Sequence, residues 1–314
     1  MSDKHKPYFI AASILILITT SVLSTTAGTS GADARIIWFL RLPRCMTSIL
    51  AGASLALAGL QMQSILRNPL ADPHIMGVSA GSALGAAAAT LCGITGGIAS
   101  ALSIAGAAII GAAATAIAIM TASRKFAGAG TLLVFGVMLG FIINAVISIL
   151  QFSSDAESLR IFYSWSAGSF SHTTWSQIMT MAIVLCIGFI IAYRGRKGLD
   201  IILFGEEFAQ LAGADTGHIR IRALLSCCLL TGTVTAFCGP LGFVGIVAPH
   251  ISRHMTGTSS HATTLPITML TGSIICVTAD LMSQISPTPL PAGSTMAMIG
   301  IPIILYVMLK RPSL

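Results

Sequence analysis

RGRKGLDIILFGEEFAQLAG, residues 194–213, opens the one long polar interval of this otherwise apolar chain, and that interval runs on to Arg222. Within it, Phe204, Phe208 and Leu211 recur at positions i, i+4 and i+7. This spacing predicts a short helix with one apolar face. Such a helix, placed between two membrane spans, can carry the movement of a soluble partner into the rest of the molecule. The stretch is therefore interpreted as a docking helix, and a solvated loop with one amphipathic turn is the alternative.

The polar residues around this helix define its limits. The spacing turns three side chains away from the apolar face, namely Glu206, Glu207 and Gln210. Gly213 is expected to stop the helix as its C′ residue, because glycine adopts the left-handed backbone conformation without strain. Asp215 or Thr216 is then expected to cap the next helix.

The composition around this interval is that of a membrane protein. Over 314 residues the mean hydropathy is +0.88, and only 9% of the residues are charged. An ordinary soluble domain has about 25% charged residues. The chain is therefore predicted to be an all-α integral membrane protein in contact with lipid. The seven cysteines lie in or beside apolar segments, with none in a Cys-x-x-Cys pair, and indicate neither a metal site nor a disulfide framework.

Ten segments are predicted to cross the bilayer, which takes about 20 apolar residues in a helix. The eighth is short and is interrupted by Pro249. The first is interpreted as a signal anchor rather than a cleaved leader, because nine further spans follow it. The predicted spans are 8–27, 45–66, 75–93, 98–120, 130–151, 175–193, 222–238, 241–256, 263–283 and 294–309.

The basic residues predict the orientation of these spans. With both termini in the cytoplasm, all but four of the 17 Lys and Arg residues fall in cytoplasmic segments. This is the bias of the positive-inside rule, so the net charge of +7 is attributed to topology and no nucleic acid partner is expected. The interval 194–222 is then a cytoplasmic loop. The four outer cations are Arg35, Arg41, Arg44 and Arg160.

Glycines at four-residue spacing predict where helices approach closely. Small residues repeated in this way let two helix backbones come together in a membrane. The repeats consist of Gly77, Gly81 and Gly85 in one span, and of Gly136 and Gly140 in another.

Two short motifs resemble chemical sites but stand in the wrong context. Residues 77–81 match G-x-S-x-G, yet that motif needs a strand-to-helix turn with His and Asp partners. His250 and His254 lie at i and i+4 but lack the Glu of H-E-x-x-H. No catalytic residue and no metal site is predicted, and an intramembrane enzyme built on Ser79 is kept as a rival hypothesis.

The source of energy is expected to be another protein. The chain has no G-x-x-x-x-G-K-[ST] loop for ATP. Asp280 is the one acid inside the spans and lies near an outer end, whereas ion-coupled transporters usually bury ionisable groups at mid-membrane. A secondary transporter driven by an ion gradient is the second rival hypothesis.

Several longer motifs follow one another along nearly the whole chain. They are residues 41–44, 51–59 with Gln63, 67–73, 77–81, 239–245, 247–253, 290–293 and 299–302. Together they resemble the FecCD permease family, the membrane subunits of ABC importers for iron-siderophore, haem and vitamin B12. A set of motifs this long is specific for the family but not for the cargo.

The resemblance implies a type II ABC importer permease, with a single transmembrane domain over residues 1–314. It also implies a homodimer or a paired permease, two cytoplasmic ABC ATPase subunits that bind the ATP, and a substrate-binding protein on the outer side. The permease itself would need no cofactor and would lie in the bacterial inner membrane.

The resemblance also implies roles for particular residues. Gly205–Gly213, with Phe204, looks like the coupling helix, with Glu206 and Glu207 facing a groove on the ATPase. Arg41 and Arg44 match outward arginines that meet glutamates on the binding protein, while Gln284 stands where some relatives have a further arginine. A structural role at the cytoplasmic gate is assigned to Asn68, Pro69, Asp72, Gly239, Pro240 and Pro249.

The predicted function is ATP-driven import of an iron chelate, in particular a ferric siderophore. Haem or cobalamin is the alternative cargo within the same family. A pathway without fixed charges would suit bulky chelates of varied shape, and a charged residue lining the cavity would count against this prediction.

Overall fold

A computed structural model describes residues 6–26, 34–91, 100–126, 128–285 and 290–310, and every regular element in these ranges is helical. A π-helical segment, Ile37–Arg41, leads into the helix that begins at Leu42. A 3-10 turn, Pro73–Met76, comes shortly before the helix that begins at Val78. The longer helices are α1 (Lys6–Thr26), α2 (Leu42–Leu66), α3 (Val78–Leu91), α4 (Ser100–Lys125), α5 (Ala129–Phe152), α6 (Ala156–Ser166), α7 (Trp175–Ile202), α8 (Glu206–Leu211), α9 (Thr216–Cys238), α10 (Val244–Thr256), α11 (His261–Ile285) and α12 (Ala292–Lys310).

Ten of these helices correspond to the ten predicted spans, and α6 and α8 lie between spans. Within the described residues, six are long and apolar enough to cross a membrane, namely α2, α4, α5, α7, α9 and α11, and α1, α3 and α12 are shorter apolar helices. Helix α10 has 13 residues and contains Pro249, in agreement with the short eighth span. The prediction of an all-α integral membrane fold is confirmed.

Several helices differ from the predicted boundaries, and the differences at α7 and α6 are the largest. Helix α7 continues to Ile202, well past the predicted end at residue 193, so the first part of the polar interval is helical. Helix α6 was not predicted. Its cap, Asp155, accepts hydrogen bonds from the backbone amides of Glu157 and Ser158, so the sequence did carry a start signal there.

Helix α2 lies at the centre of the bundle and packs against α7, α9, α10 and α11. Its glycines make this possible. A Cβ atom at Gly52 would lie 2.2 Å from the carbonyl oxygen of Gly272 in α11, and one at Gly59 would lie 2.0 Å from that of Gly245 in α10. Any larger residue at these crossings would force the helices apart.

The predicted glycine contacts are also present. A Cβ atom at Gly81 would lie 2.3 Å from the hydroxyl oxygen of Thr115 in α4, and one at Gly85 would lie 2.0 Å from the carbonyl oxygen of Ala107. Gly77 precedes them with a φ of +84°, which lets the chain turn from the 3-10 turn into α3. The interpretation of this repeat as a packing face is confirmed.

Candidate transport pathway and coupling surface

Helix α8 lies at the basic end of the bundle, which is the end that carries Arg67, Arg124, Lys125, Arg194 and Arg222. The apolar face of α8 is exposed. Phe208 and Leu211 of α8 are 54% and 89% exposed, and Phe204, just before the helix, is 75% exposed. Gly205, with a φ of +117°, allows the turn before the helix, and Ala209 on the opposite face is fully buried.

The inner side of α8 is anchored by an ion pair. The carboxylate of Glu206 accepts a hydrogen bond from Arg220 of α9, and the same guanidinium donates to the carbonyl oxygen of Phe126 at 3.0 Å. Glu207 is exposed. Glu206 therefore pairs within the chain, because the buried Arg220 side chain requires a carboxylate beside it. The expectation that both glutamates face a partner stays a prediction.

The end of α8 follows the predicted pattern. Gly213 has a φ of +80° and follows the last turn, as expected for a C′ residue. Asp215, rather than Thr216, caps α9 by accepting from the backbone amide of His218 at 2.9 Å. The backbone and side-chain hydrogen bonds from His218 lower the pKa of the Asp215 carboxyl. Gln210 donates to the Thr216 hydroxyl at 3.4 Å, which also connects α8 to α9.

Three side chains connect the end of α7 to the centre of the bundle. Asp200 accepts from the backbone amide of His261 at 2.8 Å, and its carboxylate lies 2.7 Å from His261 Nδ1. On the other side, His261 Nε2 lies 2.7 Å from the hydroxyl oxygen of Ser64 in α2. Ser-His-Asp is the order of hydrolase triads. However, Ser64 is fully buried and donates to the carbonyl oxygen of Leu60, so this arrangement links helices and has no access to a substrate.

The residues assigned to a gate come from two distant motifs that meet in the structure. Asp72 caps the 3-10 turn by accepting from the backbone amide of His74 at 2.9 Å, and Asn68 accepts from the amide two residues on in the same way. The side chain of His74 then forms a hydrogen bond with the carbonyl oxygen of Leu241, in the segment that joins α9 to α10.

The remaining residues of these motifs shape the same region. Gly239 has a φ of +77°, and a Cβ atom there would lie 2.4 Å from the carbonyl oxygen of Trp165. Pro240 follows it and lines a cavity, whereas Pro249 is buried inside α10 and Pro69 is half-buried in the loop after α2. The structure therefore brings the turn capped by Asp72 together with the segment that holds Gly239 and Pro240, at a junction that does not include Asn68, Pro69 or Pro249.

A cavity of about 390 Å³ opens beside this junction, between α3, α5 and α6. Its wall contains hydroxyl and amide groups together with His74, and none of its described lining residues is Asp, Glu, Lys or Arg. The polar groups are those of Ser79, Asn144, Ser148, Gln151 and Ser166.

Sequence reasoning missed most of this wall. A signal was present, because Asn144, Ser148 and Gln151 follow an i, i+4, i+7 pattern in an otherwise apolar span and so share one helix face. Ser79 lies in the wall, but its hydroxyl oxygen contacts that of Thr235 at 3.2 Å rather than a histidine. Within the described residues, no group of three or more His, Cys, Asp or Glu side chains could hold a metal ion.

At the opposite end, Arg44 is directed into the protein. Its Nε donates to Asp280 at 2.6 Å, and its Nη2 donates to the Ser283 hydroxyl at 2.7 Å. Gln284 also donates to Asp280, and Arg41 donates to a backbone carbonyl at the end of α1 at 3.1 Å. Arg44 is therefore paired within the chain, because the fully buried Asp280 carboxylate requires a cation, and its docking role stays a prediction.

Comparison with known proteins agrees with these features. The model of the FecCD transport family matches residues 8–310. The chain belongs to the FecCD transport family. Among FecCD relatives, the vitamin B12 import system permease BtuC of Vibrio cholerae is 31% identical, over 96% of this chain and 92% of its own. The Fe(3+)-citrate import system permease YfmE of Bacillus subtilis is 33% identical, over 95% of this chain and 89% of its own.

A solved structure extends the agreement to the whole architecture. It is described as an inward-facing conformation of a candidate metal-chelate type ABC transporter. It superimposes with a TM-score of 0.89 at 28% identity, covering 97% of this chain and all of its own. The predicted type II ABC importer permease architecture is confirmed for this FecCD member.

Proposed function

We propose that this FecCD permease is the non-catalytic membrane subunit of an ATP-driven importer that moves an iron chelate, in particular a ferric siderophore, into the cytoplasm. The basic end is cytoplasmic in this proposal, with both termini on that side of a bacterial inner membrane, because most of the Lys and Arg residues lie there. Two permease copies form a homodimer, two ABC ATPase subunits dock at the basic end and bind the ATP, and a substrate-binding protein docks at the opposite end.

The observation that carries the proposal is the exposed apolar face of an anchored helix. A helix of six residues is not stable alone. Here the Glu206–Arg220 ion pair and the buried Ala209 hold α8 in place, while Phe204, Phe208 and Leu211 stay outside. An apolar patch that a protein exposes in this way marks a contact with a partner.

The contacts behind α8 provide a route for movement into the bundle. Arg220 connects α8 to the segment between α4 and α5 through Phe126, and Asp200 connects α7 to α2 and α11 through His261. Closure of the ATPase dimer on ATP would displace α8, and these hydrogen bonds would pass the displacement to the central helix α2. The cavity would then open on the other side of the membrane.

The cavity wall supports a chelate as cargo. Hydroxyl and amide groups can donate to and accept from an oxygen-rich ligand without a fixed charge that would hold it tightly. The iron-citrate relative and the metal-chelate neighbour favour an iron chelate. Vitamin B12, from the BtuC relative, is the second candidate, and haem is the third.

The proposed docking of the binding protein uses Arg41 and Arg44 at the opposite end. The Nε of Arg44 donates a hydrogen bond to Asp280, and its Nη1 makes no hydrogen bond to the described residues. This nitrogen can donate to a carboxylate of the binding protein. Such charge pairs chiefly raise the encounter rate and fix orientation.

The test is uptake into proteoliposomes that hold the permease, its ATPase and its binding protein, with ferric siderophores, haem and cobalamin offered in parallel. We expect accumulation of a ferric siderophore that requires ATP. The double variant Phe208→Ser/Leu211→Ser is expected to reduce uptake at least about tenfold and to stop the ATPase from co-purifying, since truncating two central apolar contacts commonly costs more than 2 kcal/mol of binding.

The matched control is Leu309→Ser, because Leu309 is an equally exposed leucine in the last turn of α12. This control is expected to keep full uptake.

A Glu206→Lys variant would be a poor test, since it would place two cations together inside the protein. Uptake that does not require ATP, or that depends on an imposed proton gradient, would instead support an ion-driven transporter and overturn the proposal.

A further inference from the structure

A second, smaller cavity of about 110 Å³ lies at the basic end between α7 and α9. It is separate from the transport cavity and from the exposed face of α8. Gln61 of α2 forms its floor, and Arg194 and Arg222 stand at its mouth. A volume of about 10–15 Å³ is enough for one water molecule, so this cavity can hold a polar group of several atoms.

The floor of the cavity contains an acceptor without a donor. Gln61 is fully buried, and its Nε2 donates to the carbonyl oxygen of Leu57 at 3.2 Å and to the Ser226 hydroxyl at 3.0 Å. Its Oε1 has no hydrogen-bond partner. A buried polar atom left unpaired is unfavourable. A ligand of this cavity would therefore be expected to donate a hydrogen bond to Gln61.

The mouth of the cavity selects for an anion. Arg194 and Arg222 are both exposed, and neither forms an ion pair or a hydrogen bond with another described residue. The nearest acid along α7 is Asp200, which is already bound to His261. Two guanidinium groups without a carboxylate favour a phosphate, which accepts several of their hydrogen bonds at once.

An apolar strip leads from this mouth towards the middle of the bundle. Gly195 leaves room at the mouth, because a Cβ atom there would meet nothing within 4 Å. Beyond this glycine, large apolar side chains are exposed on both helices that flank the cavity. They are Ile183, Ile187 and Ile190 of α7, and Leu225 and Leu229 of α9.

We propose that this cavity binds an anionic phospholipid whose headgroup carries a hydroxyl group, the chemistry of phosphatidylglycerol. The phosphate lies between Arg194 and Arg222, the headgroup hydroxyl donates to Gln61 Oε1, and the acyl chains follow the apolar strip of α7 and α9. The site does not depend on the transported cargo. Because α7 leads directly into α8, an occupied cavity would also brace the helix that carries the coupling surface.

Native mass spectrometry of the purified permease, titrated with phosphatidylglycerol or phosphatidylcholine, tests the phosphate contact. We expect phosphatidylglycerol to be retained preferentially. The variant Arg194→Gln/Arg222→Gln is expected to weaken its retention about thirtyfold, from the contribution of each basic residue near an anionic lipid. The control variant Arg124→Gln/Lys125→Gln removes an equally exposed basic pair at the end of α4 and is expected to retain the lipid.

A second arm tests the hydroxyl contact. Phosphatidylmethanol carries the same phosphate charge without a headgroup hydroxyl, so the wild type is expected to bind it about fivefold more weakly, the value of one hydrogen bond. Gln61→Met keeps the side-chain size and is expected to abolish this difference. Thermal unfolding in phosphatidylcholine checks that each variant is folded.

Three outcomes would overturn the proposal. One is equal retention of phosphatidylglycerol by the arginine variant and the wild type, and another is equal loss in the control variant. The third is displacement of the retained phosphatidylglycerol by inorganic phosphate or glycerol phosphate at the same concentration. That result would show a site for a soluble anion instead of a lipid.

Discussion

Helices α2 and α5 are both apolar enough to cross a membrane, but they have opposite surroundings. In its most apolar window α2 is 89% buried within the chain, whereas α5 is 22% buried, although α5 has the higher mean hydropathy, 2.6 against 1.5. Lipid is as apolar as a leucine side chain, so hydrophobicity does not drive a helix to the centre of a membrane bundle. Small residues and hydrogen bonds decide its position.

The side chains of the two helices show this difference directly. Helix α2 carries glycines at its crossings and buries hydroxyl and amide groups that bond to other helices, such as Gln63 with Arg253 at 2.7 Å. Helix α5 approaches the 3-10 turn closely at Gly136, where a Cβ atom would lie 3.0 Å from the Cα of Met76. It exposes large apolar side chains, namely Val134, Met138, Phe141, Ile142, Val146 and Ile149.

The largest expected effect is that of Gly59→Val in α2. The new Cβ atom would lie 2.0 Å from the carbonyl oxygen of Gly245, and backbone cannot move away as a side chain can. We expect the free energy of unfolding to fall by more than the about 1–3 kcal/mol typical of overpacking, so that little monodisperse protein is recovered. Size-exclusion chromatography in detergent measures the amount of monodisperse protein. Gly130→Val in α5 is the control, since a Cβ atom there meets nothing within 4 Å, and equal losses in both variants would contradict the comparison.

The next effect concerns the ion pair at the start of α2. Asp280→Ala leaves Arg44 partly buried without its carboxylate and is expected to destabilise the protein by about 3 kcal/mol. Thermal unfolding in detergent measures the change. The double variant Arg44→Met/Asp280→Leu is expected to recover most of the loss, because apolar residues can replace a buried pair. If the double variant were as unstable as Asp280→Ala, the stranded charge would not be the cause.

A smaller effect is expected where α5 does pack. In Gly136→Ala the Cβ atom would lie 3.0 Å from the Cα of Met76, so the 3-10 turn must shift, at a cost of about 1 kcal/mol. Gly140→Ala is the matched control four residues on, because its nearest neighbour atom is 3.9 Å away. The same unfolding assay is expected to show that control unchanged, and a lower stability for Gly140→Ala would show that α5 packs more tightly than its neighbours indicate.

The smallest effect on stability, and the sharpest on assembly, is expected from Ile142→Cys. In the proposed homodimer we expect α5 to face the second copy, because one of its faces lines the cavity while the other exposes large apolar side chains. Oxidation is expected to yield disulfide-linked dimers without a change in unfolding temperature. Exposed Cys186 is first replaced by Ser. Ile110→Cys, on the equally exposed face of α4, should remain monomeric on denaturing gels, and dimers from both variants would indicate random collision.

Much of the fold could be predicted from local pattern. Apolar length predicted the spans, Gly213 and Asp215 marked the ends of α8 and α9, and the spacing of Phe204, Phe208 and Leu211 marked the short helix. These signals are local, because helix geometry and capping depend on residues a few positions apart. The docking and coupling roles of these residues stay predictions.

Local pattern could not show that a side chain has a distant partner in the fold. Glu206 and Arg44 were both assigned to contacts with other proteins, which stay predictions, and both also pair within the chain, with Arg220 and Asp280 respectively. No local sequence pattern indicates that Arg44 and Asp280 form an ion pair. A charged residue that lies near a membrane surface looks the same in sequence whether it points out or in.

The sequence by itself determined that this chain crosses a membrane as a helical bundle of the FecCD family, where the short helix α8 lies, and which end is basic. Only the tertiary structure decided which helix is central, how the motifs around Asp72 and Gly239 meet beside a cavity, and which charges are already paired. The physical reason is that hydropathy and capping act over a few residues, whereas close packing and ion pairs join residues brought together only by the fold.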